Sequence, residues 1–353
     1  MTPGTMSTSD RVAQNGHDWP IRGQDRVVGE LRRGVIAGPR HAYILSGPKH
    51  SGKLTCAREF AAALLCPNAG SSAVACHACA ICRRISRGVF PDLSVIDLGS
   101  QALAEKSQGK NLALTIATIR RISADVSLRP SEAAWRVVIV DDVETMQETA
   151  QEAFLKTLEE PPAYVVIVLL TTDADLLLPT ILSRCVTLRM QTPAAGAVKA
   201  ALTERGVEAD RASEIASLSD GLIGWAFNAA DNPSLVEERD NTRARARAWI
   251  ASDPYRRLVQ ATLLADGFAK DRETAFAELL AAQRVWRELL HVVERADATP
   301  APEELRLLGH GLSGLRVAAC LRSVDRCIAG LEANVRPRLA LQTMVASWPE
   351  LPS

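Results

Sequence analysis

Short apolar runs and amphipathic stretches alternate through the first half of the chain, and that alternation stops near residue 190. His41-Ala-Tyr-Ile-Leu-Ser46 is a run of strand type. Leu54 to Leu65, which follows it, is Ala-rich with apolar residues on one face and predicts a helix. Leu93 to Leu98, Arg136 to Val140 and Tyr164 to Leu170 are further strand candidates. Between the last two, Thr145 to Leu158 predicts an amphipathic helix stopped by Pro161-Pro162, while Gly99 to Asn111 is polar and loop-like. From Ile21 to about Met190 this order implies a mostly parallel α/β sheet with helices on both faces. After Met190 the strands cease. Thr192 to about Ala230 predicts a small set of helices punctuated by Gly221 and Gly224, and Pro233 to Ser347 is helical in pattern throughout. The expected division is a disordered leader at 1–18, an α/β domain at 19–190, a small helical domain at 191–232 and an all-α domain at 233–353.

Composition narrows the class. Of 353 residues, 47% are apolar and 23% charged, as in ordinary soluble globular protein, and the formal net charge of +0 argues against a chain that coats nucleic acid by itself. No apolar run reaches the roughly 18 residues of a membrane span. Met1 to Asp10 is polar and has no apolar signal core, so a cytoplasmic location is expected.

Three groups of residues carry chemistry. Gly47-Pro-Lys-His-Ser-Gly52-Lys53 follows a strand and opens a helix, the context a phosphate-binding loop requires. Its glycines let backbone N–H groups wrap the phosphates, and Lys53 would neutralise their charge. The next residue is Leu54, where a hydroxyl for Mg²⁺ belongs, and Thr55 lies one residue late, a rotation of roughly 100° on a helix. Val137-Val-Ile-Val-Asp141-Asp142 matches a Walker B strand: Asp141 would hold Mg²⁺, and Asp142 stands one methylene short of the usual water-polarising Glu. Glu144 is close by in sequence but need not point into the site. Cys66, Cys76, Cys79 and Cys82 form two C-x2-C steps with a fourth cysteine upstream, a set able to enclose one structural Zn²⁺ with no catalytic vacancy. An iron–sulfur cluster or unligated thiols are the alternatives, and His77 and His50 could substitute as ligands but are not needed to complete the set. Cys56, Cys185, Cys320 and Cys327 are isolated and read as buried thiols.

Ala153-Phe-Leu-Lys-Thr-Leu-Glu-Glu-Pro-Pro162, Thr180-Ile-Leu-Ser-Arg-Cys185, the cysteine spacing and Gly23-Gln24 through Gly47 together resemble the bacterial clamp-loader AAA+ subunits of DNA polymerase III over residues 20–190. That resemblance implies an AAA+ P-loop domain, a small helical lid and a helical collar. It also implies an arginine-finger role for Arg184, acting in trans on a neighbour's ATP, and a position near sensor 1 for Thr171 and Thr172, although the segment after them is one residue shorter than in the family. Within this family, the tau/gamma type keeps an intact ATP site and a sensor-2 Arg, whereas the delta-prime type keeps Ser-Arg-Cys beside degenerate nucleotide motifs. Leu54, Asp142 and Gly224, the last at the sensor-2 position, favour the delta-prime type with intrinsic ATPase weak or absent. The retained Lys53 leaves ATP or ADP binding at Gly47, Gly52, Lys53, Asp141, Asp142 and Thr172 open. A tau/gamma-like ATPase is the alternative. The partners implied are tau/gamma and delta subunits in a hetero-oligomeric ring, the sliding clamp, and primed DNA through the complex, with no membrane. Arg243, Arg245 and Arg247 form a basic cluster on the collar, read as a solvated helix surface. A zinc-dependent DNA-binding protein is a third class, disfavoured by the neutral charge.

Overall fold

Why strands form where they do is visible in their burial. The computed structural model describes residues 19–105, 113–294, 303–333 and 335–350. In it, β1 (Ala42–Ser46), β2 (Leu93–Ile96), β3 (Arg136–Val140), β4 (Val165–Thr171) and β5 (Val186–Arg189) form one parallel sheet of order β2-β3-β4-β1-β5. Because successive strand residues face opposite sides, each apolar run feeds two cores. Tyr43, Leu45, Val137, Ile139, Val166 and Val168 pack with α1 (Asp25–Ala37) and α2 (Lys53–Leu65) on one face. Ile44, Val138, Val140, Ile167 and Leu169 pack on the other with α5 (Ile116–Val126) and α6 (Glu148–Glu159), α3 being Ala80–Ser86 and α4 Leu98–Glu105. The central strands β1, β3 and β4, buried on both sides, are continuous apolar runs, which is why they were readable.

Two secondary-structure elements differ from expectation. Gly99 to Glu105 is helix α4 rather than loop, because its polar residues have helical duties. Asp97 Oδ1 accepts the Ser100 N–H at 2.6 Å as a cap. The wholly buried Gln101 bridges to the Ala113 carbonyl and the Thr115 amide, both at 2.9 Å. The remainder of that stretch, and the leader expected at 1–18, lie outside the described residues. Strand β5 had no counterpart among the strand candidates. It pairs with β1 in the register Tyr43↔Val186 to Ser46↔Arg189, and its residues alternate between half-buried and exposed.

Beyond β5 lie α8 (Ala195–Glu204), α9 (Ala209–Ser219) and α10 (Ile223–Asp231). The chain divides into two compact units between Asp231 and Asn232. The second unit is helical: α11 (Ser234–Ala251), α12 (Pro254–Gly267), α13 (Arg272–Glu294), α14 (Glu303–Gly309), α15 (Gly314–Glu332) and α16 (Pro337–Ala346). Its core holds Trp249 and Trp286 edge-on to Trp348, with ring centroids 5.3 and 5.4 Å away. Buried Arg257 donates to the Ile250 and Pro349 carbonyls at 2.5 and 2.6 Å. The basic cluster on α11 is not simply solvated. Arg243 pairs with Glu288, Arg245 with Glu278 at 2.7 Å and Arg247 with Glu304 at 3.5 Å, so its charge is answered within the unit. No helix among the described residues is long and apolar enough to cross a membrane.

Candidate nucleotide site and cysteine cluster

Gly47 leaves β1 with its N–H on the Thr171 carbonyl at 3.1 Å. The loop closes at Gly52, whose φ of 93° is left-handed and suits glycine, and α2 begins at Lys53. Lys53 is buried and its Nζ donates to the Gly47 and Pro48 carbonyls at 2.6 and 3.0 Å. Burial lowers its pKa, while the charges of Asp141, Glu144 and Asp142 act to raise it. Leu54 packs against the apolar cluster beneath the sheet, and Thr55 is exposed. The side chain at position 54 therefore serves the core and offers no oxygen.

Asp141 and Asp142 follow β3. Burial raises the pKa of both carboxyls, and Lys53 opposes the shift at each. Asp142 is left-handed, with φ 52°, a conformation that Asp tolerates better than most residues. A single 3-10 turn, Val143–Thr145, follows. That twist brings Glu144 to the site, where its Oε1 accepts both the N–H and the hydroxyl of Thr172, at 3.1 and 2.7 Å. Its Oε2 is buried without a partner. Sequence spacing left Glu144 aside because a left-handed Asp is not legible in advance.

The other side of the P-loop is closed by α10. The Gly224 N–H donates to the His50 carbonyl at 2.9 Å, and a Cβ at position 224 would lie 2.8 Å from that same oxygen. Backbone meets backbone here, with no room for a side chain. Gly221, at φ 75°, is equally constrained: a Cβ there would meet the Pro193 carbonyl at 2.4 Å.

Arg184 follows the single turn α7 (Pro179–Leu182). Its guanidinium meets Glu159 Oε1 at 2.7 Å, the Thr180 carbonyl at 2.8 Å and Ser183 Oγ at 3.1 Å. Cys185, next along, packs into the core face that holds α6. The Ser-Arg-Cys run thus combines an acceptor, a fixed cation and an anchor.

The four clustered cysteines converge, with all four Sγ atoms within 4.8 Å of one another. Cys66 to Cys76 is 3.6 Å and Cys76 to Cys82 is 3.9 Å. Thiolates about 2.3 Å from a tetrahedral ion lie about 3.8 Å apart, so the donor set fits such an ion. Backbone N–H groups of Cys76, Cys79 and Cys82 point to the sulfurs of Cys66, Cys76 and Cys79, each at 3.4 Å, and would stabilise thiolates. The Cys76 thiol is lowered to about 6, first by the Ala78 N–H. His77 turns away, its Nε2 lying 3.3 Å from Glu59. The isolated thiols are raised by burial, Cys56, Cys185 and Cys327 to about 12 and Cys320 to about 11.

Comparison with known proteins bears on this P-loop unit. Residues 23–194 match the family described as DNA polymerase III, delta subunit. DNA polymerase III subunit gamma of Buchnera aphidicola subsp. Acyrthosiphon pisum is 35% identical over 172 residues, 48% of this chain and 44% of that protein. Subunit tau of Escherichia coli K12 is 28% identical over 350 residues, 94% of this chain and 50% of that protein. Subunit delta' of Bacillus subtilis 168 is 30% identical over 199 residues, 56% of each. The chain spans about half of the length of these curated relatives. Tau, gamma and delta-prime are all among its relatives, and the matches do not separate them.

Proposed function

We propose that this chain is a clamp-loader subunit of the delta-prime type, because residues 23–194 match the DNA polymerase III delta-subunit family and the chain is similar to tau, gamma and delta-prime subunits. In this reading it assembles with tau/gamma and delta subunits and helps place the sliding clamp on primed DNA. It supplies Arg184 to a neighbour's ATP and turns over little ATP of its own. The observation that carries the reading is Gly224. Where the resemblance puts a sensor-2 arginine, the backbone sits so close to the P-loop that a Cβ would lie only 2.8 Å from the His50 oxygen. Leu54, given to the apolar core, and the short Asp142 agree with it. Arg184 would act where charge develops on the transferred phosphoryl group, an effect worth roughly 10³–10⁵ in rate.

Any ATP or ADP held by this chain would lie on Gly47, Gly52 and Lys53, beside Asp141, Asp142 and Thr172. Cys66, Cys76, Cys79 and Cys82 would hold one Zn²⁺ as a structural cross-link. The proposed domain division is an AAA+ domain to residue 190, a lid at 191–232 and a collar from 233. A second reading, an intrinsic ATPase of the tau/gamma type, draws on the retained Lys53 and on Glu144, whose charge reaches it. Steady-state ATP turnover by the isolated chain decides between them: background turnover supports delta-prime, and robust turnover supports tau/gamma.

A further inference from the structure

Arg184 is held more firmly than a surface arginine needs to be, and the residue holding it is badly placed for stability alone. Glu159 is the last residue of α6. There the helix dipole and unpaired carbonyls disfavour a carboxylate. Both partners stay partly in water, with side-chain exposures of 34% for Arg184 and 48% for Glu159, so the pair contributes little to folding. The same helix fixes the finger's other support. Gln151 is buried and uses both ends of its amide, donating to the Met146 carbonyl at 3.2 Å and accepting the Leu178 N–H at 2.9 Å, just before α7. Ser183 Oγ accepts from Arg184 and donates to the Thr180 carbonyl at 3.0 Å.

We propose that Glu159 is a positioning residue that fixes the Arg184 guanidinium for a phosphate held by a neighbouring subunit. The inference rests on the reading of Arg184 as a finger in trans. An arginine free in solvent spreads over many rotamers and must be ordered each time it docks. Here the ordering is done before docking, by Glu159, the Thr180 carbonyl and Ser183. Part of the donor fork remains open for phosphate oxygens, whose greater negative charge competes well with one carboxylate.

The test uses the full chain reconstituted with its motor subunits, reading DNA-stimulated ATP turnover for the wild type, Glu159→Ala, Glu159→Gln, Arg184→Ala and the Glu159→Ala/Arg184→Ala double variant. Glu159→Ala should lower kcat by up to about 30-fold, the bound set by ordering one arginine side chain. KM for ATP should not change, since the nucleotide is bound by the neighbour. Glu159→Gln, which keeps an acceptor oxygen, should recover most of the loss, and the double variant should match Arg184→Ala. If Arg184→Ala is inactive and Glu159→Ala turns over as the wild type, positioning by Glu159 is wrong and the finger stands. If Arg184→Ala is fully active, the finger is wrong and the inference falls with it. A Glu159→Ala variant that melts earlier but keeps its kcat makes the pair merely structural and also overturns the proposal.

Discussion

Replacing Gly224 with Ala should destabilise the P-loop unit, although the same change in a helix ordinarily stabilises by about 0.5–1 kcal/mol. Position 224 lies in the first turn of α10, and its new methyl would stand 2.8 Å from the His50 oxygen, 3.4 Å from the His50 carbonyl carbon and 3.5 Å from its Cα. All three are backbone atoms and cannot swing aside as a flexible side chain would. His50 is itself left-handed at φ 62°, and the loop is tied by the Ser51 N–H to the Pro48 carbonyl at 3.2 Å. The helix must therefore retreat by several tenths of an ångström. Overpacking of this kind costs about 1–3 kcal/mol, and weakening the Gly224–His50 hydrogen bond adds up to about 1 kcal/mol. After subtracting the helix gain, the net loss is centred on about 2 kcal/mol. For a unit of this size that lowers Tm by roughly 4–8 °C. Calorimetry should follow the transition of this unit separately, since the chain has two compact units and need not melt in one step. Amide exchange at Gly224 should quicken in parallel. A Gly224→Ala chain that melts at or above the wild-type temperature would refute the close-contact account of this glycine.

The cysteine cluster predicts one tightly held zinc ion per chain, absent from Cys79→Ser, whose sulfur also accepts the Cys82 N–H at 3.4 Å; elemental analysis that finds no metal in the wild type contradicts it. Asp92 is wholly buried and accepts the amides of Ser131, Glu132 and Ala133 at 2.7, 2.8 and 2.9 Å. Burial acts to raise its pKa, but those three N–H groups and Arg136 together bring it below the ordinary value. Its contribution is thus present above the unfolded carboxyl pKa of about 3.9 and disappears as pH falls through the lower folded value. Asp92→Asn should cost about 1–3 kcal/mol at pH 7, and the gap to the wild type should narrow below about pH 4 in urea melts; a gap of constant size from pH 7 to pH 3 would contradict this.

How much could be read in advance followed from how local the signal was. Strands β1, β3 and β4 were legible because both faces are buried, and α6 because an apolar stripe ends at Pro161-Pro162. Strand β5 was not, since Thr187 and Arg189 face solvent and break the apolar run. Helix α4 hid behind polar residues that cap it and bridge from it. At the candidate site, the P-loop and the cysteine spacing were visible as motifs. The turn of Glu144 onto Thr172 depends on a backbone twist at Asp142, and the partners of Arg243, Arg245 and Arg247 lie far along the chain. Gly224 was visible as a missing arginine, but what fills its place is a distant carbonyl that spacing cannot reveal.

In the proposed role this chain contributes chemistry to its neighbour and little to its own P-loop. The most direct measurement is DNA-stimulated ATP turnover by the reconstituted assembly with wild-type chain or Arg184→Ala, beside turnover by the isolated chain. The isolated chain should show background turnover, the assembly strong turnover, and Arg184→Ala a loss of roughly 10³-fold or more. Robust turnover by the isolated chain, or an assembly indifferent to Arg184→Ala, would contradict that role.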